Sequence, residues 1–379
     1  MLPSAAYLDP AVFAWEQRQF FSGGWTCVGL SAQLDGPGAQ RAEAAGGGSV
    51  LLTRGEDKVL RAFANTCRHR GHELLACGTA TRRGSVVCPY HSWAYSLSGE
   101  LRAAAGFKGL PGFDPSQWGL AALPVIEWHG LIFVNSSAAA EPLARSLDSL
   151  ESVIAPYEPE RLVIGRQCHY EIAANWKVVC ENYTECYHCP AIHPQLCKVS
   201  PPKSGHGIDP AGSWTCAWMD LRDGMDTMSL DGRSHSMPLR GLAGVQLRTV
   251  AYIVLFPNVL LSLHPDYVMT HRLIPLTAGT TAVECTWAFA PEAGHAAGFS
   301  PDYAVDFWDL TNRQDWLACE SVQRGLSSEH AAPGPLSREE ETVYQFVTMI
   351  ARGYRGQPLW APAAPAASAA AAASTSQAE

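Results

Sequence analysis

The chain has no apolar run long enough to cross a bilayer, which argues against membrane insertion. It also lacks a basic excess: 27 Lys and Arg against 36 Asp and Glu give a net charge of −9. That balance disfavours a general nucleic-acid or anionic-membrane surface and leaves a small-molecule substrate open. The opening stretch MLPSAAYLDPAVFAWEQRQFF has no basic n-region, no uninterrupted apolar core and no small-residue cleavage site. It reads as an amphipathic helix entered at Asp9-Pro10, and a cytoplasmic location is expected. No long internal repeat is present. What remains is an ordinary composition, 47% hydrophobic and 17% charged, in 379 residues, a length that predicts two cores. Twelve scattered cysteines without a secretion signal point to reduced thiols and metal ligation rather than a disulfide framework.

Residues 1–30 are expected to be helical and then extended. Short runs punctuated by Gly follow, such as Ser49–Thr53 and Val59–Phe63, and predict a small β domain ending near Phe133-Val134-Asn135. Beyond residue 140 the pattern changes. Leu143–Tyr157 has helical spacing, Gln167–Ile172 alternates like a strand, and Trp176–His188 returns to helical spacing. Leu247–Phe256, Val259–Leu263 and Thr280–Ala290 are β-rich, and 301–326 and 337–352 are helical, so the second domain is α+β. The expected division is 1–30 (N-terminal helical segment), 31–138, 139–356, and a low-complexity Ala/Pro/Ser tail, 357–379, unable to bury enough surface to order itself.

Two constellations carry chemistry. Cys67-Arg68-His69 is followed, after eighteen intervening residues, by Cys88-Pro89-Tyr90-His91. Two thiolates and two imidazoles can close a tetrahedral zinc site or hold a [2Fe–2S] cluster with Cys on one iron and His on the other. The ligand set alone does not choose. The C-x-H arm, unlike the C-x2–4-C arm of zinc fingers, favours the cluster, as does a β context in which Gly71, Gly78 and Gly84 allow close backbone approach.

In the second, Glu185 and His188 lie three apart and share a face if helical, while Pro190 is expected to end or kink the helix and release His193 toward His188. Within 301–326, Trp308, Thr311, Asp315, Ala318, Val322 and Leu326 follow one mostly apolar stripe, where a carboxylate needs a partner or a cation. His188, His193 and Asp315 would make the 2-His-1-carboxylate set that leaves positions open for O2 on non-heme Fe(II). The bland alternatives are satisfied polar histidines and an Asp315 paired with Arg313 or Arg324. Cys186 and Cys189 form a C-x-x-C that is alternatively redox-active or zinc-binding, though not placed as in a thioredoxin-like site.

With both motifs and their order, the chain resembles the α subunits of Rieske-type aromatic-ring-hydroxylating oxygenases over roughly residues 7–355. C-R-H-R-G…C-P-Y-H-S-W is similar to the family's Rieske signature, and N-W-K…E-N-Y-x-E-C-Y-H-C-x-x-x-H-P to its iron-site signature. The resemblance implies an α+β fold: a Rieske-type antiparallel β domain joined to a helix-grip catalytic domain, a curved antiparallel sheet around a long helix. It implies cluster ligands Cys67, His69, Cys88 and His91, iron ligands His188, His193 and Asp315, and a head-to-tail homotrimer in which Glu185 bridges iron and the neighbouring subunit's cluster. O2 is then the co-substrate. The chain shows neither a plant-type ferredoxin C-x4-C-x2-C nor a G-x-G-x-x-G after a strand, so NAD(P)H is used only through a separate ferredoxin/flavin reductase.

Glu185 and the runs Thr227–Gly232 and Leu261–Tyr267 look most like the branch that oxidises quaternary ammonium compounds such as glycine betaine, choline and carnitine. An aromatic cage for a trimethylammonium group draws on Trp214, Trp218, Tyr252, Phe256, Tyr267 and Trp287, with His264 beside them. The competing expectations are a Rieske oxygenase acting on an aromatic ring or another C–H bond, and a non-catalytic zinc-stabilised binding module.

Overall fold

The computed structural model describes residues 1–360 apart from 140 and 296–297, so the tail from 361 to 379 lies outside the described residues. In the first half, the strands Ala39–Ala45 and Gly48–Arg54 are joined through Gly46-Gly47, both at positive φ (57° and 78°). Two consecutive left-handed residues are what a tight hairpin following the strand twist requires, and glycine supplies them without strain. These strands sit in a five-stranded sheet with Leu60–Ala64, Ala80–Arg82 and Ala122–Leu123. Thr26–Leu30, Leu131–Val134 and Val125–Trp128 form a second sheet, and Val86–Val87, Ala94–Tyr95 and Leu101–Ala103 a third.

The second half is built on a seven-stranded antiparallel sheet in the order Val163–Ile172, Thr280–Phe289, Tyr267–Thr277, Val259–Leu263, Thr249–Leu255, Trp214–Asp220 and His206–Ile208. The helix Asp302–Leu326 buries Ala304, Val305, Phe307 and Trp308 against Tyr267, Met269, Cys285 and Trp287 of that sheet. The shorter helix Trp176–Tyr183 packs into another core with Phe346, Val347 and Ile350 of Glu341–Tyr354. This is the expected α+β architecture. No helix of the described residues is long and apolar enough to cross a membrane.

Several expectations are corrected. Leu143–Tyr157 is not one helix: Leu143–Leu147 stops at Asp148 (φ 38°), and Leu150–Ile154 continues into a 3-10 turn through Pro156. Tyr267–Thr277 is a strand the alternation rule missed, because its first seven residues are buried on both faces and show no period of two. Val322 is exposed on the long helix, whose buried stripe runs through Thr311, Asn312, Cys319 and Gln323 instead. Gly78 and Gly84 have no protein atom within 4 Å of an added Cβ, so no neighbouring protein segment requires glycine there. Residues 357–360 are described, and Leu359 packs against the core.

The N-terminal helices fold onto the second half. Glu16 takes a 2.7 Å ion pair from Lys177, with both side chains fully buried, and accepts from Trp176 Nε1 and the Tyr354 hydroxyl.

Candidate metal centres and substrate cavity

The Cys67 and Cys88 loops share one backbone pattern. Each Cys N–H donates to the carbonyl five residues on (His72, Trp93), and each Cys carbonyl accepts from the residue four on (Gly71, Ser92). Gly71 and Ser92 both adopt positive φ, 70° and 57°, to close these turns. The paired loops carry two buried cysteines that share one core cluster and two histidines whose rings lie 4.7 Å apart. His69 stacks on Trp93 at 5.0 Å, which fixes its plane, and its buried Nδ1 has no hydrogen-bond partner among the described residues. An orphaned imidazole nitrogen beside two buried thiols fits a metal cluster. Burial, with the charges of His69 and Arg70, holds His91 below its ordinary range, favouring the neutral form that can ligate.

The second centre departs from the helical expectation. The Trp176–Tyr183 helix stops before Glu185, so Glu185 and His188 do not share a helix face. Their proximity arises from a turn in which the Glu185 carboxylate accepts from the Tyr187 and His188 backbone N–H groups and from His188 Nδ1. Pro190 does not end a helix. It opens the short helix Cys189–Ile192, and Pro194 opens Pro194–Val199, leaving His193 at the junction.

From there His193 Nε2 lies 2.9 Å and His188 Nε2 3.4 Å from Asp315 Oδ1. Among the described residues, these three form the one group of three or more His, Cys, Asp or Glu whose donor atoms all lie within 4.8 Å of one another. Asp315 pairs with neither Arg313, which binds Asp309, nor Arg324. Each imidazole has its Nδ1 occupied, by Glu185 for His188 and by Gln314 Oε1 at 2.7 Å for His193, so both Nε2 atoms are aimed at the shared point. Burial works against the His188 imidazolium, yet hydrogen bonds to Asp315 and Glu185 push it up to about 9. Burial likewise works to raise Asp315, and the two imidazoles hold it below the usual carboxylate range. Two imidazole nitrogens and a carboxylate oxygen converging on one point fit a cation there. Gln314 was not assigned a role from sequence; its position next to Asp315 was the available signal.

A cavity of about 480 Å³ opens beside this group. Of the seven side chains proposed from sequence for the substrate, Tyr252 lines it. Trp214, Trp218 and Phe256 pack in other cores, and Tyr267 and Trp287 are buried under the long helix. His264 is fully buried and stacked on Tyr267 at 4.0 Å. Tyr183, Tyr187 and Trp308 join Tyr252 on the cavity wall, the rings of Tyr183 and Trp308 lying 5.9 and 6.1 Å from that of Tyr252. These last two are legible afterwards by spacing: Trp308 precedes Asp315 by two helical turns on one face, and Tyr183 ends the helix before Glu185.

A β domain with paired Cys/His loops beside a helix-and-sheet domain with an open His/His/Asp site defines an iron-dependent oxygenase with its own electron-accepting cluster. Family models agree: Rieske [2Fe-2S] domain matches residues 24–114, and Ring hydroxylating alpha subunit (catalytic domain) matches residues 159–356. The chain is 30% identical over 386 residues to the glycine betaine monooxygenase oxygenase subunit of Chromohalobacter salexigens, covering 93% of this chain and 86% of that one. It is 32% identical over 336 residues to the carnitine monooxygenase oxygenase subunit of Acinetobacter pittii, covering 86% and 85%. A solved quaternary ammonium Rieske monooxygenase superposes with a TM-score of 0.79 at 25% identity, over 93% of this chain and 94% of that one. The chain belongs to the Rieske-type ring-hydroxylating oxygenase α-subunit family. It is an oxidoreductase that carries a Rieske [2Fe–2S] domain and a non-heme iron catalytic domain.

Proposed function

We propose that this chain is the oxygenase component of a monooxygenase that removes or hydroxylates a carbon on a quaternary ammonium compound. Residues 31–138 form its cluster unit and 139–356 its catalytic unit. Cys67, His69, Cys88 and His91 hold the cluster; His188, His193 and Asp315 hold the iron. The cluster supplies single electrons and Fe(II) supplies O2 activation. A separate NAD(P)H-dependent ferredoxin/flavin reductase delivers the electrons, in the cytoplasm.

The observation that carries the substrate is the cavity wall. A trimethylammonium group has no hydrogen to donate, so it is recognised by aromatic faces and by charge. Tyr183, Tyr252 and Trp308 place three rings around the cavity next to the His/His/Asp group. Lys203, Arg338, Glu339 and Glu341 give its wall both signs, which suits a zwitterionic substrate. The rings exclude water and hold an N-methyl group beside the open face of the site. Hydroxylation there gives a carbinolamine, which collapses to formaldehyde and the demethylated amine.

Glu185 already engages His188 Nδ1. In a head-to-tail homotrimer its carboxylate also reaches a cluster histidine of the next subunit and couples the two centres. Glu185→Gln is expected to keep both metals while slowing cluster reoxidation by substrate and O2; full activity in this variant overturns the coupling role.

The test begins with metal and sulfide analysis of anaerobically purified protein and the electron paramagnetic resonance of its reduced form. About three irons per chain with a rhombic signal of low average g is expected. Stoichiometric zinc without that signal overturns the oxygenase mechanism. With a reductase, formaldehyde or glycolaldehyde release from glycine betaine, carnitine or choline supports the substrate; a cis-diol from an aromatic ring as the turnover product overturns it.

A further inference from the structure

Cys186 and Cys189 stand on either side of His188 and directly after Glu185. Their sulfurs are bonded, with Cα atoms 4.9 Å apart, a separation a disulfide spans without backbone movement. Both line the cavity, Cys189 buried and Cys186 half-buried, so a small oxidant in that cavity reaches them. The bond closes the turn between the end of the Trp176–Tyr183 helix and the start of Cys189–Ile192. Within the same turn the Glu185 carboxylate takes its three hydrogen bonds. Without the cross-link, those hydrogen bonds and the Cys189 N–H to Cys186 carbonyl bond are what hold His188 facing Asp315.

We propose that Cys186 and Cys189 are a reversible dithiol–disulfide site that staples the Glu185–His188 turn. The proposal rests on the assignment of His188 to the iron site. In a reducing compartment a structural disulfide does not persist, so a pair that bonds there is a transient one. The oxidant is hydrogen peroxide, formed when O2 takes two electrons and two protons without attacking substrate. Two thiols and one peroxide give one S–S bond and two waters, the sulfurs losing two electrons and the O–O bond breaking. The return uses an external dithiol: its thiolate attacks one sulfur, a mixed disulfide forms, and its second thiol completes the exchange, leaving Cys186 and Cys189 as thiols. Closing so short a loop removes open arrangements of the turn by a factor of about ten or more. The closed form therefore keeps His188 on the metal longer.

The test uses holoenzyme with both metals. Samples treated with a small excess of peroxide, and then with a dithiol, are mapped by differential alkylation and peptide mass. Iron loss to a chelator is timed in parallel, with the cluster's visible absorbance as the internal control. Peroxide is expected to close the pair and the dithiol to open it, with iron leaving the closed form about tenfold more slowly. Cys186→Ser and Cys189→Ser are expected to lose iron at the open-form rate before and after peroxide, with unchanged cluster absorbance. If both cysteines remain alkylatable after peroxide, or if the two forms lose iron at equal rates, the proposal is overturned while the iron site stands. If the pair closes normally but no form retains iron, the iron-site assignment falls and the staple with it.

Discussion

His193 donates Nδ1–H to Gln314 Oε1 at 2.7 Å, and that bond chooses the tautomer that leaves Nε2 free to bind. Gln314→Ala removes it without touching a donor atom; iron affinity is expected to fall about 10–100-fold. Chelator competition measures the loss, and Gln314→Glu, which keeps an acceptor in place, is expected to recover most of it. Seven residues before His188, Glu181 accepts from the Tyr7 hydroxyl at 2.6 Å. Burial pushes its carboxyl up from 4.5 to about 7, although the Tyr7 bond and the Lys177 charge favour the anion. The folded chain therefore holds this proton more tightly than the unfolded chain, and its contribution to stability is present below the ordinary carboxylate range. It is lost as pH rises from 4.5 to about 7. At about 1.4 kcal/mol per unit, this is worth about 3 kcal/mol. Urea unfolding at about pH 5 and about pH 8 is expected to show that difference shrinking by this amount in Glu181→Gln. An unchanged pH profile in the variant would place the proton elsewhere.

The Trp176–Tyr183 helix shows how an element turns a short sequence into a rigid mount. Asn175 caps it: Oδ1 accepts from Lys177 N at 3.0 Å, and Nδ2 donates to the Tyr7 and Ala278 carbonyls at 3.1 and 2.8 Å. A cap is worth about 1 kcal/mol and each buried hydrogen bond about as much again, so Asn175→Ala is expected to cost about 2–4 kcal/mol. Denaturant unfolding reads this directly, and a cost under 1 kcal/mol would mean that water replaces the side chain. The start of this helix was legible, because Asn before a run of apolar spacing is a cap signal. Its end was not. Three-residue spacing between Glu185 and His188 reads equally as helix or as a turn closed by the carboxylate, and only the backbone donors of Tyr187 and His188, invisible in sequence, decide it. The convergence of His188, His193 and Asp315 was legible in the sequence because few other roles bring those residue types into such spacing. The cavity was not, since an aromatic residue facing a core and one facing a void look alike until the sheet register and the helix face are known.

At the scale of the whole molecule, the two halves are joined by buried polar contacts that neither half would make alone. Asn258, in the turn before Val259–Leu263, mimics a strand partner for Cys27, accepting from its N–H and donating to its carbonyl, both at 2.9 Å. Arg272 of the seven-stranded sheet reaches Glu43 of the five-stranded sheet at 2.8 Å and Glu284 at 3.3 Å, with all three side chains nearly out of water. Arg41, more exposed, adds a second cation to both carboxylates. Removing the Arg272 guanidinium leaves the two buried carboxylates facing each other with only the more exposed Arg41 as a partner. Arg272→Met is expected to destabilise the protein by about 3–5 kcal/mol. The loss should fall on the join: on heating, the cluster's visible absorbance is expected to disappear at a lower temperature than the far-ultraviolet signal of the catalytic helices, where the wild type loses both together. Adding Glu43→Leu and Glu284→Leu removes the orphaned charges, and most of the stability is expected to return. If instead the triple variant is as unstable as the single one, the clamp holds the halves by shape rather than by charge. If Arg272→Met alone melts as the wild type does, the ion pairs do not hold the join, which then rests on Asn258 and the apolar packing around it.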